Sequence, residues 1–130
     1  MNENEISQII VNAAVEVQSR LGGPGLLESV YEEALAAELE GRGVSVRRQV
    51  PLVLTYKGRE LAVGLRIDLL AGDLVIIECK ATSHYNSIFE AQALTYLRLS
   101  NRRLALVINF GEKPLRQGIH RVVNALDACR

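Results

Sequence analysis

Two short, almost wholly apolar runs constrain this chain more than anything else in it. Leu74 to Ile77 (LVII) and Leu104 to Ile108 (LALVI) are rich in β-branched residues and far too short for ordinary helices. They read as strands, and a strand that is apolar on both faces has to be covered on both faces. The cover lies elsewhere in the chain. Ile6, Ile9, Ile10, Ala13, Ala14, Val17 and Leu21 recur with helical period up to the LGGPG break. Leu27, Val30, Tyr31, Ala34, Leu35 and Leu39 repeat that period and stop at Gly41-Arg42-Gly43. A third helix is expected from about Ile88 to Leu99, and a last one from Pro114 to about Ala128.

Between the helices, Val44 to Val50, Pro51 to Tyr56 and Glu60 to Leu70 read as extended segments. Lys57-Gly58-Arg59 and Ala71-Gly72-Asp73 are the turns. The expected architecture is α/β: a small mixed central sheet flanked by helices on both sides, with one domain over residues 1–130.

At 130 residues and 48% hydrophobic, the chain is long enough to bury a core. No apolar run approaches the ~20 residues that span a bilayer, so no membrane partner is expected. The first residues, MNENEISQ, are acidic and polar, unlike a secretory signal. Cys79 and Cys129 stand far apart without metal-ligand spacing, and the expectation is reduced thiols in a cytoplasmic protein. The net charge of zero divides unevenly. Residues 1–40 hold eight acids and one base, net −7; residues 41–130 hold fourteen bases and seven acids, net +7. Twelve of the fifteen bases are arginine, which suits bidentate phosphate contacts, although an ordinary solvated surface accounts for the same count.

Several motifs lead nowhere. LGGPGLLES lacks the Gly-Lys-Ser/Thr ending of a phosphate loop and follows no strand, so its glycines mark a helix break with a new helix just after Pro24. There is no zinc-type Cys/His cluster and no Gly-x-Ser-x-Gly elbow. His84 and His120 have no evident partner and read as surface or loop residues.

The charged end of LVIIECKA is different. On a strand, Glu78 and Lys80 share one face and Cys79 takes the other, where it packs as a small apolar side chain. Asp68 sits on the preceding strand, in LRIDLL. A three-residue loop at Ala71-Gly72-Asp73 would set Asp68 opposite Ile76 and diagonal to Glu78, and a loop at Gly72-Asp73-Leu74 would set it directly opposite Glu78. A two-residue loop would separate the two acids by the sheet. Two carboxylates so close repel unless a cation lies between them, and paired oxygen ligands suit Mg²⁺ or Mn²⁺. A lysine beside them can orient or deprotonate an attacking water, which completes the parts for phosphodiester hydrolysis.

Asp68 followed by Glu78-Cys79-Lys80 after a short hairpin, with helices before and after, resembles the PD-(D/E)xK nuclease superfamily. Gly25-Leu26-Leu27-Glu28-Ser29-Val30-Tyr31 is similar to the signature of its small GxxExxY proteins, as are QVPLVLTYKG, Gly64-x-Arg66-x-Asp68, EAQALTYL and INFG. The resemblance implies a restriction-endonuclease-like core and a Mg²⁺- or Mn²⁺-dependent nuclease. Asp68 and Glu78 would be the metal-binding acids, the Cys79 main-chain carbonyl a further ligand and Lys80 the catalytic lysine. It also implies Glu28 as an additional acid near the metal, and Gln92 and Tyr96 as the Gln-x-x-x-Tyr pair beside the site. The implied partner is nucleic acid, DNA ahead of RNA, with a homodimer open to so small a chain. Ile67 departs from the proline of the superfamily's name. Read from the residues alone, Glu28 equally suits the first turn of a helix, and Gln92 needs a partner or a wet cleft within an otherwise apolar face. Two rivals stay open: a non-catalytic nuclease-fold module that binds nucleic acid or a protein, and an interaction domain with a salt-bridged sheet face.

Overall fold

The computed structural model describes residues 1–125. Helix α1 (Glu3–Arg20) starts under a reciprocal cap. The Asn2 side chain accepts from the Glu5 N–H at 2.8 Å, and the Glu5 carboxylate accepts from the Asn2 N–H at 3.0 Å. Its apolar stripe, Ile6, Ile10, Ala13, Ala14 and Val17, is buried. Helix α2 begins only at Glu28 and runs to Gly41, a few residues later than Pro24 suggested, and buries Tyr31, Leu35, Ala36 and Leu39.

Strands β1 (Val46–Tyr56), β2 (Arg59–Ala71), β3 (Val75–Lys80), β4 (Leu104–Asn109) and β5 (Ile119–Val123) form one sheet in chain order. All neighbours are antiparallel except β3 and β4, which are parallel and joined through helix α3 (Ile88–Ser100). The two extended segments expected around Pro51 are one continuous strand, β1.

The apolar runs are covered on both faces as their composition requires. Val75, Ile77, Cys79, Leu104, Leu106 and Ile108 pack with α1 and α2. Ile76, Ala105 and Val107 pack with Ala93 and Leu97 of α3. The β2–β3 loop is Gly72-Asp73-Leu74, with φ of +58° at Gly72 and +59° at Asp73. A Cβ on Gly72 would also lie 2.6 Å from Ile6 Cδ1, so glycine is demanded twice there. Asp73 also accepts from Arg47 and Arg102 at 3.1 and 2.9 Å, while the turn and the buried apolar pattern set the hairpin register.

The expected last helix from Pro114 to Ala128 is a correction. A single 3-10 turn (Leu115–Gly118) is followed by β5, and residues 126–128 lie outside the described residues. Leu115, Ile119 and Val122 have helical spacing by coincidence. At Gly118 a Cβ would meet the Asn109 carbonyl oxygen at 2.7 Å, a close approach that ends the turn. The β-branched Ile119, Val122 and Val123 then lie in the strand that pairs with the outer edge of the fully buried β4.

Candidate active site

Strands β2 and β3 pair at only three positions, the last being Leu69 with Ile77. One step further in the same register, Asp68 meets Glu78, and side chains take over from the ladder. The Asp68 N–H donates to Glu78 Oε2, and the Cys79 N–H donates to Asp68 Oδ2, both at 2.9 Å. Of the alternatives open in the sequence, direct opposition through the Gly72-Asp73-Leu74 loop is the one found.

The opening is built by a paired irregularity in β1 and β2. Val46 packs towards α1 and α2 and Arg48 reaches Glu32 of α2, whereas Val50 and Leu52 pack towards α3. The phase slips at Gln49, whose φ is +53°. In β2 the same slip falls at Asp68, because Leu69 packs with α1 and α2 and Ile67 with α3. Strict alternation is therefore broken at the acid itself, and the kink lets its carboxylate reach the main chain of β3.

Glu78 is 5% exposed, and Lys80 follows it on the α3 side. Loss of water, then the nearby Asp68 charge, pushes Glu78 up to about 8. Loss of water likewise raises Asp68 to about 6, partly offset by the Cys79 N–H. Lys80 forms no ion pair among the described residues; its ammonium lies 4.7 Å from the Phe89 ring centre. The Lys80 carbonyl points to β4, where it accepts from the Phe110 N–H at 2.7 Å. Cys79 therefore turns both its N–H and its carbonyl towards the β2 side, where the ladder has stopped. Its thiol lies in the apolar layer under α1 and α2, and burial pushes its pKa up.

Glu28 is exposed in the first turn of α2, and partial loss of water raises its pKa against the pull of Lys80. Its placement comes from Tyr31. That hydroxyl donates to the Gly23 carbonyl at 2.7 Å and accepts from the Leu26 N–H at 3.2 Å, while the ring stacks on Phe110 at 4.6 Å. One buried side chain thus ties down the glycine-rich break from which α2 starts. Tyr96 is half-buried on α3, and its pKa is raised by lost water and then by the charges of Glu78 and Asp68. Gln92, one turn earlier, is exposed and makes no hydrogen bond among the described residues, so the cleft expected to hold it is open solvent.

Glu32 was not foreseen. It is 6% exposed and accepts from Arg48 at 3.1 Å and from Gln49 at 2.9 and 3.0 Å, holding the strained Gln49 against α2. Its spacing one residue after Tyr31 was the only signal. His120 corrects the surface reading: it lies half-buried on β5, stacked 4.0 Å from Tyr85, with Nδ1 4.0 Å from Glu90 and Nε2 buried without a hydrogen-bond partner among the described residues. His84 is an exposed loop residue, as expected.

Among the described residues no three His, Cys, Asp or Glu side chains form a ready-made metal cage. The acid pair nonetheless suits a hard divalent cation. Each carboxylate is fixed to the main chain by one oxygen, leaving Asp68 Oδ1 and Glu78 Oε1 without a hydrogen bond among the described residues. Both acids resist ionising, a cost that a cation between them would relieve.

This chain belongs to the PD-(D/E)XK nuclease superfamily, whose family model matches residues 4–122. Its mixed sheet with helices on both faces is consistent with a restriction-endonuclease-like fold. Nucleases of this superfamily generally use divalent metals, and the membership supports a nuclease-type function on nucleic acid. Neither a curated protein nor a solved structure matches the chain. No described helix is long and apolar enough to cross a membrane.

Proposed function

We propose that the chain, as one domain of the GxxExxY type, is a Mg²⁺- or Mn²⁺-dependent nuclease that hydrolyses phosphodiester bonds. The observation that carries this reading is the reciprocal Asp68–Glu78 lock at the point where the β2–β3 ladder ends, with Lys80 on the same strand. Asp68 and Glu78, with the Cys79 carbonyl, would hold the ion, and Glu28 would add an acid from α2. A divalent cation there supplies charge neutralisation at the phosphate and makes water a better nucleophile. The chain's own groups then divide the work. Lys80 positions the attacking water and stabilises developing negative charge. Its ammonium lies over the Phe89 ring, 4.7 Å from the ring centre. Tyr96 and Gln92, one turn apart on α3, orient the substrate strand, the exposed Gln92 being free to reach it.

One observation favours the rival, a non-catalytic nuclease-fold module: among the described residues no third His, Cys, Asp or Glu side chain completes a metal cage. Calorimetric titration with Mn²⁺ separates the two. The nuclease reading expects a binding isotherm for the parent that is lost or weakened at least tenfold in Glu78→Gln. Equal heats from both proteins refute the metal site.

A further inference from the structure

The candidate site accounts for the inner half of β1 and β2. Their outer half leaves the core as a two-stranded ribbon, in which every residue from Val53 to Gly64 is exposed or only half-buried. Apolar side chains are left in water there: Val53 is 60% exposed, Tyr56 61% and Val63 51%. From Val53 to the turn at Lys57 the ribbon reaches about 13 Å at ~3.3 Å per residue.

Its cations are exposed and, like Arg98, Arg103 and Lys113 elsewhere, have no acidic partner among the described residues. Elsewhere most arginines are engaged within the fold: Arg20 with Glu16, Arg42 with Glu38, Arg47 and Arg102 with Asp73, Arg48 with Glu32. Arg121 is likewise held, by Asn4. On the ribbon and at its base, Lys57, Arg59 and Arg66 are exposed and have no acidic partner among the described residues, and Glu60 is the ribbon's one acid. Tyr56 and Arg59 pair across the tip, with the Lys57 ammonium 5.6 Å from the Tyr56 ring centre. Arg66, opposite Pro51, carries positive charge back towards Asp68.

We propose that this ribbon is an arm that grips double-stranded DNA and leads it to the acid pair at its base; this rests on the nuclease reading of that pair. The major groove of B-form DNA admits a two-stranded ribbon, and unpaired cations on such a ribbon meet phosphates on the groove walls. The same strands carry the arm and Asp68, so a duplex held along the arm lies in line with the site. A second copy of the chain fits the ribbon less well. Two tips brought together would oppose like charges, and Pro51 removes an edge donor that strand pairing between copies would use.

The test is fluorescence anisotropy with a short duplex and a single strand of equal length, in EDTA, so that no cleavage is needed. The arm predicts tighter binding of the duplex by the parent. It predicts roughly 10- to 100-fold weaker duplex binding by Lys57→Ala/Arg59→Ala/Arg66→Ala, with the log–log salt slope smaller by about 2–3. Arg59→Glu should lose more affinity than Arg59→Ala, which a purely structural role would not produce. Unchanged affinity and slope in the triple variant overturn the arm and leave the nuclease reading standing. So does a triple variant that changes only the sedimentation of the protein. A parent that binds no nucleic acid overturns the arm, while cleavage with metal decides the nuclease reading separately. A parent that binds through the arm while Asp68→Ala cleaves as fast as the parent removes the nuclease site alone.

Discussion

Glu78→Gln isolates the physical cost of the acid pair without any assumption about catalysis. The amide keeps the side chain's shape and can still accept from the Asp68 N–H, but it cannot ionise. In the parent, Glu78 is raised from its ordinary 4.5 to about 8, so the folded protein favours the neutral acid. Stability from this group is present below pH 4.5 and is lost as pH rises through 8. Between about pH 5 and about pH 8.5 the loss from Glu78 alone is about 4 kcal/mol, at ~1.36 kcal/mol per pKa unit.

Urea unfolding of both proteins in EDTA at those two pH values should therefore show the parent losing about 4 kcal/mol more than Glu78→Gln. The variant should be the more stable of the two at the higher pH. Saturating Mn²⁺ should restore the parent by about 2.7 kcal/mol at a hundredfold excess over its Kd, and restore the variant much less. Parallel pH dependence in the two proteins would refute the reasoning, because it would mean that Glu78 is not held as a buried, charge-opposed acid.

Other expectations follow from single side chains. Asn109→Ala leaves the Thr82 N–H, the Thr82 carbonyl and the Gly111 N–H without the partner they now share, and should cost roughly 2–4 kcal/mol in urea unfolding. Tyr31→Phe keeps the Phe110 stack but removes the hydroxyl that spans Gly23 and Leu26; a loss of about 1–3 kcal/mol is expected in the same assay. Cys79→Ala should leave any cleavage activity within a few-fold of the parent, since only the main chain of this residue faces the site; a complete loss would give the thiol a role it lacks here.

Much of this was legible in the residues. The helical stripes of α1, α2 and α3 and the apolar strands β3 and β4 follow from period and length alone, because each buries a face set by its own backbone geometry. The meeting of Asp68 and Glu78 was legible as a condition on loop parity, and the glycine and left-handed aspartate at 72–73 meet it. What was not legible depended on distant partners. No local signal makes Gln49 adopt positive φ; Glu32 and the slip opposite Asp68 hold it there. The β5 segment mimics a helical period, and only the unpaired edge of β4 and the close approach at Gly118 draw it into the sheet. Glu32 and Tyr31 act through contacts with loops and strands that spacing along α2 does not reveal.

The most direct test of the central claim is cleavage of labelled nucleic acids in Mg²⁺ and Mn²⁺ by the parent, Asp68→Ala and Lys80→Ala, with EDTA as control. The nuclease reading predicts that the parent cuts at least one substrate only with metal, and that each substitution lowers the rate by roughly a hundredfold or more. An Asp68→Ala protein that cuts as fast as the parent would contradict it.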